Sequence, residues 1–343
     1  MSLEFRHIAH AYGQGAGRLQ ALEDVSFIAP RGEITCLLGP SGCGKSTLLN
    51  LAAGLLEVQQ GSVHVAEALL ADSGTNPPPE KRPVGLVFQD AALFPHMTIA
   101  RNVGFGLPRG SDAAIAAALE QVGLGGLSMR YPHELSGGQQ QRAALARAMA
   151  PDPQVLLMDE PFASVDIVLR RRLRRDCRIL LRERGATVVL VTHDPEEALD
   201  IADRIAVMEA GRIVQFGTPG ELHESPAAAS VGAIFGGAQV VSAKRSGDTL
   251  QTPFGDWAAS SVNGDMPDSA AMDLLLNAED IELTADQSGL AVRDVHPLGA
   301  TTRVLLANEA GEEITAITDR PVASGERYRA APRAGSVRAF PRG

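Results

Sequence analysis

A glycine-rich segment at residues 39–47 constrains the fold of this chain more than any other feature. It reads Gly-Pro-Ser-Gly-Cys-Gly-Lys-Ser-Thr and fits the pattern G-x-x-x-x-G-K-[ST]. The apolar run 34–38 before it predicts a buried strand, and residues 45–56 after it predict a helix. In that setting, glycines let backbone N–H groups point at phosphate oxygens. The segment, here called the phosphate loop, therefore predicts nucleotide binding; a glycine turn without a ligand is the alternative.

The phosphate loop also predicts individual contacts. Lys45 can reach the β- and γ-phosphates of a nucleotide, and the Ser46 hydroxyl can ligate Mg²⁺. Cys43 is expected to be a packed thiol without a catalytic role. The residues predicted to contact the nucleotide in this loop are Gly39, Pro40, Ser41, Gly42, Cys43, Gly44, Lys45, Ser46 and Thr47.

Two acidic residues end a second apolar run. Residues 155–158 predict a buried strand, and Asp159 and Glu160 follow it directly. Asp159 is placed to hold the Mg²⁺ of a phosphate site, and Glu160 to act as a general base on the attacking water. Two acids that cap the next segment are the alternative. Because a phosphate loop precedes them in the same chain, the catalytic interpretation is favoured.

A third segment, residues 135–139, reads Leu-Ser-Gly-Gly-Gln and is here called the signature segment. Ser136 can cap a helix that begins near Gln139, while Gly137 and Gly138 leave backbone N–H groups exposed. These features predict a second anion site in the same chain. An ordinary helix start is the alternative.

Length and patterning predict two domains. The chain has 343 residues, more than a single core of ordinary size. Residues 1–236 alternate short apolar runs with helical patterns, which predicts an α/β domain with a helical insertion at about 90–150. Beyond a boundary rich in glycine and small residues, short alternating segments predict a small, β-barrel-like domain at 238–343.

Charge and residue usage exclude several kinds of protein. A net charge of -10 argues against nucleic-acid binding through bulk electrostatics. The arginine-rich run 170–178 predicts an amphipathic helix with a solvated basic face. Three widely spaced cysteines predict reduced thiols in a cytoplasmic protein, and the scattered histidines argue against a zinc or iron site. No apolar stretch approaches the ~20 residues that span a bilayer, and the N-terminus lacks a secretory signal, so any membrane role is expected to be by docking.

The signature segment matches, residue for residue, the Leu-Ser-Gly-Gly-Gln of the ABC ATPase family, and residues 1–236 resemble that family. The resemblance implies ATP as substrate, with Mg²⁺. Tyr12 resembles the aromatic residue that stacks on adenine. Gln89 resembles the glutamine that links the metal site to the transporter, and as such is expected at the metal and in catalysis. His193 resembles the switch histidine that contacts the γ-phosphate.

The family resemblance also implies a head-to-tail homodimer. Each ATP is expected to lie between one phosphate loop and the signature segment of the partner, which involves Ser136, Gly137, Gly138 and Gln139. Asp166 corresponds to the aspartate of the family's Ser-Ala-Leu-Asp run. In this chain the run reads Ala-Ser-Val-Asp, with the serine displaced to Ser164.

Two regions resemble those of importer ATPases. Residues 93–103 resemble the surface that receives the coupling helix of a membrane permease, and the apolar tip 93–95 suits such a contact; a purely structural loop is the alternative. Residues 238–343 resemble the small β domain of the maltose, polyamine and ferric-ion group. The resemblance implies a peripheral protein on the cytoplasmic face of the membrane, with permease subunits and, indirectly, an extracytoplasmic solute-binding protein as partners.

The cargo is predicted from resemblance alone. Residues 94–96, 130–135 and 150–153 look most like those of ferric-ion importer ATPases, which predicts iron transport. Polyamine, thiamine, sulfate and sugar importers are the alternatives, because they use the same type of ATPase subunit. A non-transport ABC ATPase and an exporter ATPase are further alternatives of other classes.

Overall fold

The structure is a computed structural model that describes residues 1–13, 15–163, 165 and 167–342. The chain folds into two compact units, Met1–Gly220 and Glu221–Gly343. The predicted domain boundary near residue 237 stays a prediction.

The first unit contains two sheets. Its strands, in chain order, are β1 Leu3–Tyr12, β2 Leu19–Ala29, β3 Ile34–Leu38, β4 Gln60–Val65, β5 Ala68–Asp72, β6 Val84–Val87, β7 Val155–Asp159, β8 Thr187–Thr192, β9 Arg204–Glu209 and β10 Arg212–Gly217. An antiparallel sheet has the order β2-β1-β4-β5. The second sheet has the order β10-β9-β3-β8-β7-β6, in which β9 to β6 run parallel and β10 is antiparallel. This mixed α/β architecture confirms the predicted fold class.

Helices occupy the connections. They are α1 Lys45–Ala53, α2 Ile99–Val103, α3 Asp112–Gln121, α4 Gly137–Met149, α5 Ile167–Glu183, α6 Pro195–Ile201, α7 Pro219–Glu224 and α8 Ala229–Gly236. Short 3-10 helices lie at Gly15–Gly17, Pro79–Lys81, Gly104–Gly106, Gly125–Leu127, Pro132–Glu134, Ala259–Ser261 and Ala278–Asp280. Helix α1 ends at Ala53, earlier than the predicted residue 56, because Gly54 adopts a φ of 83° and its N–H caps the helix.

The two sheets share one core. Its buried side chains come from β1, β2 and β4, from α1, and from β7 and β8, so that α1 packs against both sheets. A second cluster, which includes Ile99, Leu119, Leu135 and Ala143, joins α2, α3 and α4. Those helices lie between β6 and β7 in sequence, as the predicted helical insertion requires, and are here called the helical subdomain.

The second unit is built mainly from strands. They are β11 Gln239–Ser246, β12 Thr249–Thr252, β13 Gly255–Ala258, β14 Ala271–Leu276, β15 Ile281–Pro297, β16 Thr302–Ala307, β17 Glu313–Thr318, β18 Arg327–Pro332 and β19 Arg338–Pro341. They form sheets of order β13-β12-β11-β14-β19 and β17-β16-β15-β18 that enclose a common apolar core. Trp257 is buried in it, and its indole N–H donates to the carbonyl of Ala330 at 2.9 Å. This curled β half-barrel agrees with the predicted β-rich domain.

Candidate nucleotide site

The phosphate loop connects β3 to α1 and depends on two glycines for its path. A Cβ on Gly39 would overlap the carbonyl oxygen of Met208, so no larger residue fits there. Gly44 has a φ of 104°, and a Cβ on it would lie 2.5 Å from the carbonyl oxygen of Ala21. The loop can therefore reach the N-terminus of α1 only with glycine at these positions. Pro40, Ser41 and Gly42 form its rim.

Lys45 lies within this loop. It is only 6% exposed, and its ammonium donates to the carbonyl oxygens of Gly39 at 2.7 Å and Pro40 at 2.9 Å. The Lys45 ammonium is thus fixed within the loop, where its positive charge would attract an anion. Cys43 is buried in the core beneath the loop, as expected for a packed thiol.

Acidic groups meet the loop from the neighbouring strand β7. The Ser46 hydroxyl donates to the Asp159 carboxylate at 3.2 Å. Burial raises the pKa of Asp159 and the Glu160 charge adds to this effect, while the Ser46 hydrogen bond partly offsets it. The carboxyl ends of β3 and β7 therefore bring a hydroxyl and a carboxylate together, both oxygen donors of the kind that Mg²⁺ binds.

Glu160 and His193 form a pair at the same edge of the sheet. His193 follows β8, and its Nδ1 lies 2.9 Å from the Glu160 carboxylate. Glu160 adopts a φ of 41°, unusual for a residue with a side chain, and its N–H donates to the Val191 carbonyl at 3.0 Å. Backbone strain of this kind is maintained only where surrounding contacts impose it. The turn after β7 is thus fixed so that Glu160 points to His193.

The other predicted residues take three positions. Tyr12 ends β1, and its hydroxyl lies 3.1 Å from the Thr47 hydroxyl at the start of α1. Gln89 is exposed just beyond β6, the strand beside β7. Asp166 and the displaced Ser164 lie outside the described residues.

The signature segment belongs to the helical subdomain. Ser136 caps α4: its hydroxyl accepts from the Gln139 N–H at 3.4 Å, and the Gln139 side chain accepts from the Ser136 N–H at 2.9 Å. This reciprocal pair is a capping box. The helix begins at Gly137, and Ser136 and Gly137 are exposed, but Gly138, which was expected to be open as well, is buried. The segment therefore presents a helix N-terminus on the surface.

The prediction that the arginine-rich helix, α5, presents a solvated basic face is wrong at Arg174. This side chain is 3% exposed and contacts the carboxylates of Asp194 at 2.5 Å and Glu197 at 3.4 Å. Arg178 and Arg182 both contact Asp203. The amphipathic pattern did not reveal this, because the partner acids lie at and beside another helix, α6, about twenty residues away in sequence.

The sequence also did not predict the hydrogen bonds that hold the residues beside His193. Glu197 accepts a hydrogen bond from the Thr192 hydroxyl at 3.1 Å, and that hydroxyl accepts from the Asp194 N–H at 3.0 Å. Burial raises the pKa of Glu197 to about 7, with the Arg174 charge opposing the shift. Burial would also raise the pKa of Asp194, but the Arg174 hydrogen bond and charge outweigh it and lower that pKa. Thr192 and Asp194, on either side of His193, are therefore held in place by Glu197 and Arg174.

Glu197 makes the stability of this fold pH-dependent. Its pKa is raised above the unfolded value, so its contribution to stability is fully present below about pH 4.5 and lost as the pH rises through about 7. Over that pH range we expect the free energy of unfolding of the wild type to fall by an amount on the order of 2–3 kcal/mol. Glu197→Gln cannot ionise and should not show this decrease. Denaturant unfolding at a series of pH values measures this. Equal slopes for wild type and variant would contradict the shift.

No helix among the described residues is both long and apolar enough to cross a membrane.

The fold and site define a P-loop nucleotide-binding protein, and comparison with known proteins specifies its family. The family model described as ABC transporter matches residues 22–163. The sulfate/thiosulfate import ATP-binding protein CysA 2 of Chromobacterium violaceum is 42% identical over 311 residues, 88% of this chain and 83% of the relative. The Fe(3+) ions import ATP-binding protein FbpC 2 of Rhodococcus jostii is 43% identical over 301 residues, 86% of each chain.

A third relative and a solved structure agree with these two. The spermidine/putrescine import ATP-binding protein PotA of Mesorhizobium japonicum is 39% identical over 330 residues, 92% of this chain and 89% of the relative. The ATP-binding cassette MJ0796, solved as a dimer in a post-hydrolysis state with ADP and Pi, superposes with a TM-score of 0.56 and 29% identity over 63% of this chain and 98% of its own. The chain belongs to the ABC transporter family, among its import ATP-binding proteins.

Proposed function

We propose that this protein is the ATP-hydrolysing subunit of an importer and works as a homodimer beneath permease subunits on the cytoplasmic face of the membrane. The observation that carries the proposal is the convergence of the phosphate loop with Asp159, Glu160 and His193 at one edge of the sheet. Magnesium-dependent ATP hydrolysis by the purified chain is the direct test.

ATP binding follows from the loop. Lys45, which bonds two loop carbonyls, would exchange these for the β- and γ-phosphate oxygens. Tyr12 stands beside Thr47 at the start of α1 and would stack on the adenine. Residues 39–47 would supply backbone N–H groups to the phosphates.

A magnesium ion fits the oxygen donors at the loop. Ser46 and Asp159, joined at 3.2 Å, would hold it directly, and Gln89 at the end of β6 would complete its protein ligands. When bound, the ion neutralises phosphate charge. Burial raises the pKa of Asp159, and a bound cation would lower it.

Hydrolysis would be carried by the Glu160–His193 pair. Glu160 accepts a proton from the attacking water as general base. His193, within 2.9 Å of it, would contact the γ-phosphate and orient both groups. Arg174 and Glu197 are positioning residues in this scheme, because they hold the residues beside His193.

The signature segment would complete the site in trans. It presents a helix N-terminus on the surface of the helical subdomain, and such an end attracts phosphate. The dimeric assembly of MJ0796 supports a two-chain arrangement. In it Ser136, Gly137, Gly138 and Gln139 would face the nucleotide on the partner, with Asp166 at the same interface.

The surface proposed to dock the permease is held rigidly. Asn102 is buried, accepts from the Phe94 N–H at 2.8 Å, and donates to the carbonyls of Phe94, Met97 and Thr98 at 3.1 to 3.2 Å. The Arg147 guanidinium lies 5.7 Å from the centre of the Phe94 ring. Phe105 packs on Phe94 with ring centres 4.5 Å apart and is 60% exposed. An aromatic pair in which Phe105 is exposed and Phe94 is half-buried suits an apolar partner helix.

Charge at this surface should uncouple the subunit from its permease. Leu93 packs on the core of the helical subdomain, so a charge at this position would also disturb that packing. Phe105→Asp is the cleaner variant, and we expect co-purification with the permease to fall about 10-fold or more, because a charge replaces an apolar contact. ATPase activity of the isolated chain should persist. Ile28→Asp, at another exposed apolar residue, is the matched control. Unchanged co-purification would place docking elsewhere.

For the cargo we propose ferric iron, from resemblance. FbpC 2 is named for Fe(3+) import, while CysA 2 and PotA, of similar identity, are named for sulfate/thiosulfate and for spermidine/putrescine. An extracytoplasmic solute-binding protein would deliver the cargo. We expect deletion of the gene to lower uptake of radiolabelled ferric iron under iron limitation. Normal iron uptake with loss of sulfate or polyamine uptake would overturn the iron assignment and leave the ATPase assignment intact.

A further inference from the structure

The strand that carries Tyr12 loses one of its backbone partners before it reaches that residue. Strand β1 pairs with β4 only as far as Ala9, which lies opposite Gln60 at the start of β4. Beyond that point the side chain of Gln59 bonds the backbone of Ala11. The Ala11 N–H donates to the Gln59 amide oxygen at 2.9 Å, and the Gln59 amide nitrogen donates to the Ala11 carbonyl at 3.0 Å. A side-chain amide thus continues the β1–β4 ladder towards Tyr12.

The Gln59 amide suits this position because it carries a donor and an acceptor, as a peptide group does. In an antiparallel pair, the N–H and the C=O of one residue bond to the same neighbouring strand. Gln59 satisfies both groups of Ala11 together. On the other side of β1, the pairing with β2 shifts register both before and after His10. Without Gln59, this end of β1 would therefore be held from one side only, by an irregular ladder.

Two further contacts hold the ring of Tyr12. His10 is 4% exposed, and its ring meets the Tyr12 ring edge-to-face, with centres 4.9 Å apart and an interplanar angle of 74°. Burial lowers the pKa of His10, which favours a neutral imidazole at this contact. The Tyr12 hydroxyl lies 3.1 Å from the Thr47 hydroxyl. Tyr12 nevertheless remains 40% exposed, so a ring that is fixed in place still has a free surface.

We propose that Gln59 and His10 are positioning residues that fix Tyr12 as a platform for the adenine base, and that they govern the affinity for the base but not for the phosphates. This inference rests on the stacking role proposed above for Tyr12. A base gains affinity when it stacks on an aromatic side chain. A ring that is ordered before the base arrives loses less freedom on binding. Because both residues act through Tyr12, the phosphate contacts should not depend on them.

Binding of ATP and of inorganic tripolyphosphate to the full-length chain separates the two parts of the nucleotide. In isothermal titration calorimetry we expect Gln59→Leu to weaken ATP binding roughly 3- to 10-fold, because the Tyr12 ring must then be ordered when the base binds. Affinity for tripolyphosphate, which has no base, should be unchanged. In turnover assays KM for ATP should rise with kcat unaltered. Unchanged ATP affinity, or equal weakening of both ligands, would overturn the proposal.

The chain offers a matched control for Gln59. Gln239 makes the same pair of bonds to the backbone of Thr315 in the second unit, at 2.6 and 2.9 Å. Gln239→Leu removes the same kind of contact away from the nucleotide site and should leave ATP affinity unaltered. His10→Leu should weaken ATP binding as Gln59→Leu does, whereas His10→Phe, which keeps an aromatic ring beside Tyr12, should retain most of the affinity. Equal losses in both His10 variants would remove His10 from this role.

A double variant tests whether Gln59 acts through Tyr12. Tyr12→Ala removes the platform and should weaken ATP binding ~5-fold or more. Adding Gln59→Leu should cause no further loss, because no ring remains to be positioned, whereas a general structural effect would add to the first loss. An additive loss would overturn the proposal. Wild-type affinity in Tyr12→Ala would remove the stacking role as well. Weakened binding in Tyr12→Ala with normal binding in Gln59→Leu would overturn this inference alone.

Discussion

Glu160→Gln is expected to lower ATP turnover at least ~100-fold while ATP still binds, because the amide keeps the shape of the carboxylate but cannot accept a proton. The hydrogen bond to His193 can persist, with the amide in place of the carboxylate. Bound ATP would then accumulate, and the variant should form a stable ATP-bound dimer. Steady-state phosphate release measures the turnover, and size-exclusion chromatography with ATP measures the dimer.

The control for this experiment is Glu67→Gln, an exposed acid in the turn between β4 and β5. It makes the same chemical change away from the site and should leave turnover unaltered. Near-normal turnover in Glu160→Gln would remove Glu160 from the role of base. Loss of ATP binding in that variant would instead assign Glu160 to nucleotide affinity.

Mixing two inactive variants should restore ATPase activity if the signature segment acts in trans. Ser136→Arg places a bulky cation at the exposed cap of α4 but leaves Lys45 intact; Lys45→Ala does the reverse. In a mixed dimer one composite site carries both changes and the other carries none. With random assortment and independent sites, we expect recovery of roughly a quarter of wild-type activity, because half of the dimers are mixed and each has one intact site.

The matched control is the double variant, Ser136→Arg with Lys45→Ala, mixed with wild type. If the sites are composite, every mixed dimer has one change in each site, so activity falls below simple dilution. If each chain hydrolyses ATP alone, the wild-type chain stays active at its diluted level. Activity at the diluted level, together with no recovery in the first mixture, would exclude the trans arrangement.

Local sequence predicted the fold class and most of the candidate site. The phosphate loop, the acids after residue 158 and the cap at Ser136 depend on short-range rules, which act within a few residues. Accordingly β3, β7 and α4 lie close to their predicted bounds. Family resemblance added Tyr12, Gln89 and His193, none of which has a diagnostic pattern by itself.

Interactions between distant segments could not be predicted in this way. The pattern of α5 placed Arg174 among solvated arginines, but folding sets it against Asp194 and Glu197 at the start of α6. Likewise, nothing in the residues around Leu93 showed that this side chain packs on the helical subdomain while Phe105 stays exposed. Burial depends on what packs against a residue, and sequence spacing along one helix does not contain that information.

The sequence by itself therefore indicated a phosphate loop, two acids after a buried strand and a capped helix start, because the rules that govern each of these segments act within a few residues. Only the tertiary structure decided how they combine. Parallel pairing of β3, β8 and β7 brings Ser46 to Asp159 and His193 to Glu160 across 113 and 33 residues of sequence.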